Sequence, residues 1–110
     1  MNYELRITAV AERDLVGASD YIEFTLKSPK AADDLLEEAE KKIQALSLFP
    51  EKFSLVDDPI LSSWGVRFTV IKNYLAFYVT SKEEHRVTVV RFLYAKSNWN
   101  FILKQGILLV

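Results

Sequence analysis

Five cationic or hydroxyl-bearing side chains in the second half of the chain are placed to handle an anion: Arg67, Arg86, Arg91, Tyr94 and Lys96. Guanidinium groups grip phosphates or carboxylates in a fork, whereas lysine acts as a point charge. A tyrosine beside them can protonate a leaving oxygen or stack on a base. Each has an ordinary alternative: an arginine paired with a helix acid, or a tyrosine packed at a strand end. The single histidine, His85, lies in a polar turn between Glu84 and Arg86 and reads as a solvated residue. Cysteine is absent, which excludes disulfides, thiol catalysis and Cys-based zinc sites. One histidine leaves no His-rich metal site, so neither metal nor cofactor is expected.

The charges are segregated. Residues 1–58 carry seven basic and thirteen acidic side chains, net −6, while residues 59–110 carry seven and two, net +5. One half can therefore meet an anionic or acidic partner while the other stays solvated.

The elements that position these groups follow from periodicity. Tyr3, Leu5 and Ile7 alternate with polar residues and predict a short first strand. Thr8 is placed to cap a helix with an apolar stripe at Ala11, Leu15, Ala18, Ile22 and Leu26. Ser28-Pro29 ends that helix and starts a second, which buries Leu35, Leu36, Ala39, Ile43 and Leu46 and turns its acids to solvent. Phe49-Pro50 closes this hairpin, and Glu51 to Ser63 reads as a connecting loop. Three strands, about Trp64–Ile71, Tyr74–Thr80 and Arg86–Tyr94, form a meander joined by Lys72-Asn73 and by a longer polar turn. Ser97 is placed to cap a short last helix that Trp99 anchors in the core and Gly106 ends.

The expected fold is α+β: an N-terminal strand, a two-helix hairpin packed on a three- to four-stranded antiparallel sheet, and a short C-terminal helix. Residues 1–110 make one domain. Neither a signal-peptide core nor a membrane-length apolar run is present, so a cytoplasmic protein without membrane association is expected. The last four residues, Ile107 to Val110, are all aliphatic. Burial is worth roughly 1.5–3 kcal/mol per side chain. The tail is therefore expected to pack on the domain, add to a sheet edge, or pair with a second copy as a homodimer.

Together with this order of elements, six short segments resemble the RelE/ParE superfamily of bacterial toxins. They are Asp20-Tyr21-Ile22, Pro29-x-Ala31-Ala32, Leu46-x-x-Phe49-Pro50, Gly65-x-Arg67, Asn73-Tyr74-x-x-Phe77-Tyr78 and Arg91-Phe92-Leu93-Tyr94. The resemblance implies the toxin of a type II toxin–antitoxin pair, silenced by a cognate antitoxin that wraps it. It offers two modes of action. RelE-like members cleave mRNA on the ribosome with basic residues and a C-terminal Tyr or His; ParE-like members poison DNA gyrase. For a nuclease the implied catalytic residues are Arg67, Arg91, Tyr94 and Lys96. For antitoxin binding the implied contacts are Arg67, Arg86, Arg91 and Lys96.

Three departures favour the ParE-like branch. Leu75 stands where the nucleases carry an arginine on the central strand. The loop before the sheet carries Asp57 and Asp58, the wrong sign for RNA. The sequence pI of about 5.8 is low for a protein that must neutralise phosphates.

Overall fold

The first strand runs only to Ile7, because Thr8 leaves it to cap a helix. β1 (Glu4–Ile7) is followed by α1 (Ala9–Asp20), one π-helical turn (Tyr21–Thr25), α2 (Pro29–Ala45) and a 3-10 turn (Pro50–Lys52). Then come α3 (Pro59–Ser63), β2 (Arg67–Ile71), β3 (Tyr74–Ser81), β4 (Arg86–Tyr94) and α4 (Trp99–Gly106). The computed structural model describes residues 2–106. The expectation for Ile107 to Val110 lies outside them. The chain has the expected α+β order, and no described helix is long and apolar enough to cross a membrane.

The strands lie in the order β1-β4-β3-β2. β2, β3 and β4 form the expected antiparallel meander, but β1 joins β4 in parallel, with Glu4 opposite Arg86 and Ile7 opposite Val89. The sheet is thus mixed rather than wholly antiparallel. Tight turns force antiparallel neighbours, and here the whole hairpin and meander separate the two strands, so no turn sets their direction.

Thr8 secures this junction three ways. Its amide donates to Val89 O at 3.0 Å, its hydroxyl donates to Val90 O at 3.0 Å, and the same oxygen accepts from Ala11 N at 3.0 Å. Val90 is the extra residue of a β-bulge, since Tyr78 faces Val89 while Phe77 faces Arg91. The bulge reverses the alternation along β4. Val87, Val89 and Phe92 face the helical hairpin, and Val90 faces the other way.

Both sheet faces are consequently buried. On one, Leu35, Ala39, Ile43 and Leu46 of the hairpin pack on Ile71, Ala76, Tyr78 and Phe92. On the other, Val56, Leu61, Val66 and Leu103 pack on Phe77 and Val90. The sequence reading placed a cover only on the first face. Two residues of its stripes also move. Leu36 is 37% exposed, and Leu26 is 56% exposed because the π turn, closed by Leu26 N to Tyr21 O at 3.0 Å, breaks the 3.6-residue spacing.

The second cover includes a helix from the segment read as a loop. Asp58 caps α3 by accepting from Ile60 N (3.0 Å) and Leu61 N (3.2 Å), and Pro59 occupies its first position. Its end is a Schellman motif: Val66 N donates to Leu61 O, Gly65 N to Ser62 O, and Gly65 takes a φ of 78°. That turn is why β2 begins at Arg67 and not at Trp64. Ser97, expected as a cap, instead donates its hydroxyl back to Tyr94 O at 2.6 Å.

Tyr78 ties the sheet to the 3-10 turn. Its side chain is fully buried and its hydroxyl donates to Pro50 O at 2.5 Å. Burial pushes the hydroxyl up to about 12, only partly opposed by the nearby Arg67 charge. A raised folded value means the fold holds the neutral form. This contribution is complete below about pH 10 and is lost as pH rises towards 12. Thermal melts from pH 8 to 12 are therefore expected to show stability falling above pH 10. Tyr78→Phe should flatten that fall while costing about 1 kcal/mol at neutral pH. An alkaline profile that overlays the wild type would exclude Tyr78 as its cause.

Candidate functional site

The sequence-predicted residues do not gather at one point. Arg86 and Tyr94 are the two ends of β4, eight residues apart, which at ~3.3 Å per residue separates them by roughly 25 Å. Arg86 is held at one end, donating to Glu4 at 2.6 Å and pairing with Glu84. These pairs lower the Glu4 carboxyl and raise the Arg86 guanidinium.

Arg67 and Arg91 serve the fold. Arg67 Nη1 donates to Phe53 O at 2.6 Å and to Glu51 O at 3.4 Å, clamping the segment before α3 onto β2. It grips carbonyls, not the helix acid that the structural alternative named. Arg91 does pair with a helix acid. Its Nε reaches Asp14 Oδ2 at 2.6 Å and its Nη2 reaches Oδ1 at 3.1 Å. The same Oδ2 accepts from Phe92 N at 3.1 Å. Past Ile7 the β4 edge has lost its strand partner, and Asp14 of α1 takes over there.

His85 has a φ of 55° and stacks on Tyr3 with ring centroids 4.0 Å apart, so it is more engaged than a solvated turn residue. Trp99 anchors α4 on Phe77 at 5.3 Å, as expected. Leu75 packs against the second core.

Tyr94 and Lys96 have a different setting. Tyr94 lies opposite Tyr74 on β3, edge to ring at 5.6 Å, and Tyr74 stacks on Phe92 at 5.1 Å. Ala95 N donates to Asn73 O at 2.9 Å, fixing the end of β4 against the β2–β3 turn. Between this corner and the π turn lies a cleft of about 730 Å³, large enough for a ligand or several side chains. Tyr21, Ile22 and Leu26 form one wall, Leu35 with Ala31 and Asp34 the next, and Lys72, Asn73, Tyr74 and Tyr94 the third. Burial raises the Tyr74 hydroxyl above its usual range, with smaller contributions from Tyr94 and Tyr21.

Sequence reasoning found Tyr94 and missed Tyr21, Leu26 and Tyr74 as partners. Tyr21 and Tyr74 stood inside the motifs that carried the family resemblance, but helical spacing put Leu26 in the core. Among the described residues, no group of three or more His, Asp or Glu could hold a metal ion.

The fold recurs in solved toxin–antitoxin complexes. A chain of the chromosomal ParDE system from P. aeruginosa superposes with a TM-score of 0.70 at 16% identity, over 86% of this chain and 97% of that one. A chain of the RelBE2 toxin–antitoxin complex from Mycobacterium tuberculosis gives 0.59 at 22%, over 87% and 95%. One from the archaeal RelE-RelB complex of Pyrococcus horikoshii OT3 gives 0.54 at 14%, over 87% and 98%. No curated protein matches the sequence. Such identities establish a common RelE/ParE-like fold. Residues 5–99, however, match the family described as "ParE toxin of type II toxin-antitoxin system, parDE". The chain belongs to the ParE toxin family of type II toxin–antitoxin systems.

Proposed function

We propose that this toxin acts in the cytoplasm as a ParE-like poison of DNA gyrase, held silent by a cognate antitoxin, and does not cleave mRNA. The observation that carries this reading is the use of its arginines. A ribonuclease of this fold needs cations directed at a scissile phosphate, to offset charge as the 2′-hydroxyl attacks. Arg91 is neutralised by Asp14, Arg67 is clamped on two carbonyls, and Leu75 replaces the central arginine. Helices α3 and α4 also cover the second sheet face. The nuclease reading keeps Tyr94 and Lys96, both exposed at the end of β4, but none of Arg67, Arg86 and Arg91 is left to fork a scissile phosphate beside them.

Expression without antitoxin is expected to stop replication before translation, and the purified toxin should inhibit gyrase supercoiling in vitro. Primer extension on cellular mRNA should show no new ends. Ribosome-dependent mRNA cleavage with unaffected supercoiling would reverse the assignment.

A further inference from the structure

We infer that the tyrosine cleft receives the antitoxin's inhibitory segment, and that this segment is an apolar stretch flanked by carboxylates. The inference rests on the toxin–antitoxin reading and assigns the site within it. The basic face that the sequence offered to an acidic partner is largely spent inside the molecule, with Arg86, Arg91 and Arg67 all engaged. Around the cleft the position is reversed. Lys72 lines it, Lys96 follows Tyr94 by two residues, and Lys27 follows Leu26. None of the three has an ion-pair partner among the described residues. Asp34, the carboxylate lining the cleft, is already bonded to Lys30 at 3.0 Å.

The apolar part is equally specific. Tyr21 and Leu26 are 52% and 56% exposed on one wall, and Tyr94 across the cleft is 44% exposed. Large apolar side chains gathered at a concave site mark an interaction surface. The π turn is what brings Leu26 into this group. Nucleic acid fits the same aromatic rings less well, because Glu37 and Glu38 of α2 stand beside Lys72 and would repel a backbone charged at every residue, whereas a peptide can keep its carboxylates to the Lys27 and Lys96 sides. A peptide can set its apolar residues on the tyrosines and its carboxylates on the lysines, and such charge matching speeds encounter.

The test uses full-length toxin and its purified full-length cognate antitoxin, with affinity measured by calorimetry. Y21A/Y94A removes two rings that are about half exposed and should leave the melting temperature within a few degrees of wild type. It is expected to weaken binding roughly 10- to 100-fold. K72E/K96E should weaken it about tenfold at low salt and much less at high salt. Hydrogen exchange on the wild-type complex gives a second readout, with expected protection at Tyr21–Leu26 and at Lys72–Tyr74.

Unchanged affinity in both variants, or no protection at those segments, overturns the cleft assignment and leaves the toxin reading standing. Failure of the wild type to bind any antitoxin would remove both. If the tyrosine variant instead abolishes binding of a labelled RNA oligonucleotide, or self-association in sedimentation, while antitoxin affinity holds, the occupant is nucleic acid or a second copy and the inference is wrong.

Discussion

Asp14→Ala is expected to destabilise the domain by about 2–4 kcal/mol, at or slightly below the range for breaking a buried ion pair. Asp14 and Arg91 are 15% and 22% exposed, so neither can recover full hydration when its partner goes. The change deprives a guanidinium of both its carboxylate contacts and leaves the Phe92 amide without its acceptor. Against a total of roughly 5–15 kcal/mol, that is a large fraction. The melting temperature should fall by about 10 °C or more. Arg91→Leu is expected to cost less, because Asp14 then keeps its bond to Phe92 N and no backbone amide is left without an acceptor. This asymmetry separates a structural Arg91 from a functional one. A variant D14A that melts within two degrees of wild type, or an R91L that is fully stable yet non-toxic, would return Arg91 to the functional surface.

Phe77→Ala should be the most damaging single truncation, at about 3–5 kcal/mol. Phe77 is fully buried at the centre of the second core and meets the Trp99 ring at 5.3 Å. Removing it leaves a cavity under α4, which is otherwise held by Leu103 and by Lys104 bonded to Asp58 at 2.8 Å. That bond and the α3 amides hold the Asp58 carboxyl below its ordinary range. Loss of Phe77 should therefore free α4 before the rest of the domain. Urea titration should show the lowered midpoint, and hydrogen exchange should show α4 amides opening first. Equal loss of protection throughout the domain would mean that α4 is not a separate latch.

What could be read from the sequence follows from which forces are local. The hairpin was legible because Leu35, Ala39, Ile43 and Leu46 recur at helical spacing and Pro29 marks a helix start. The meander was legible because Lys72-Asn73 and the run from Ser81 to His85 are turn sequences between apolar runs. Helix α3 carried readable signals too: Asp58 and Pro59 at its start and Gly65 past its end. Its five residues were simply too few to show a period. The Val90 bulge, the π turn and the parallel seat of β1 had no local signal, since each is decided by contacts between distant residues. The same holds for the site. Arg91 could be seen as a candidate, but whether it meets phosphate or Asp14 depends on a pair 77 residues apart. The tyrosine cleft was hidden because Tyr21, Tyr74 and Tyr94 come from three separate elements.

The place of β1 bears on when this protein becomes dangerous to the cell that makes it. Among the described residues β1 has β4 as its only neighbour in the sheet, and the contact of Glu4 with Arg86 spans 82 residues. A ribosome extending the chain at about 5–20 residues per second needs roughly 4–16 s to travel that interval. Throughout it the first strand has nothing to pair with, and Thr8 lacks the Val90 carbonyl that fixes the start of α1. The toxic fold thus closes only after β4 has been made. An antitoxin already present has that delay in which to be waiting when the fold closes.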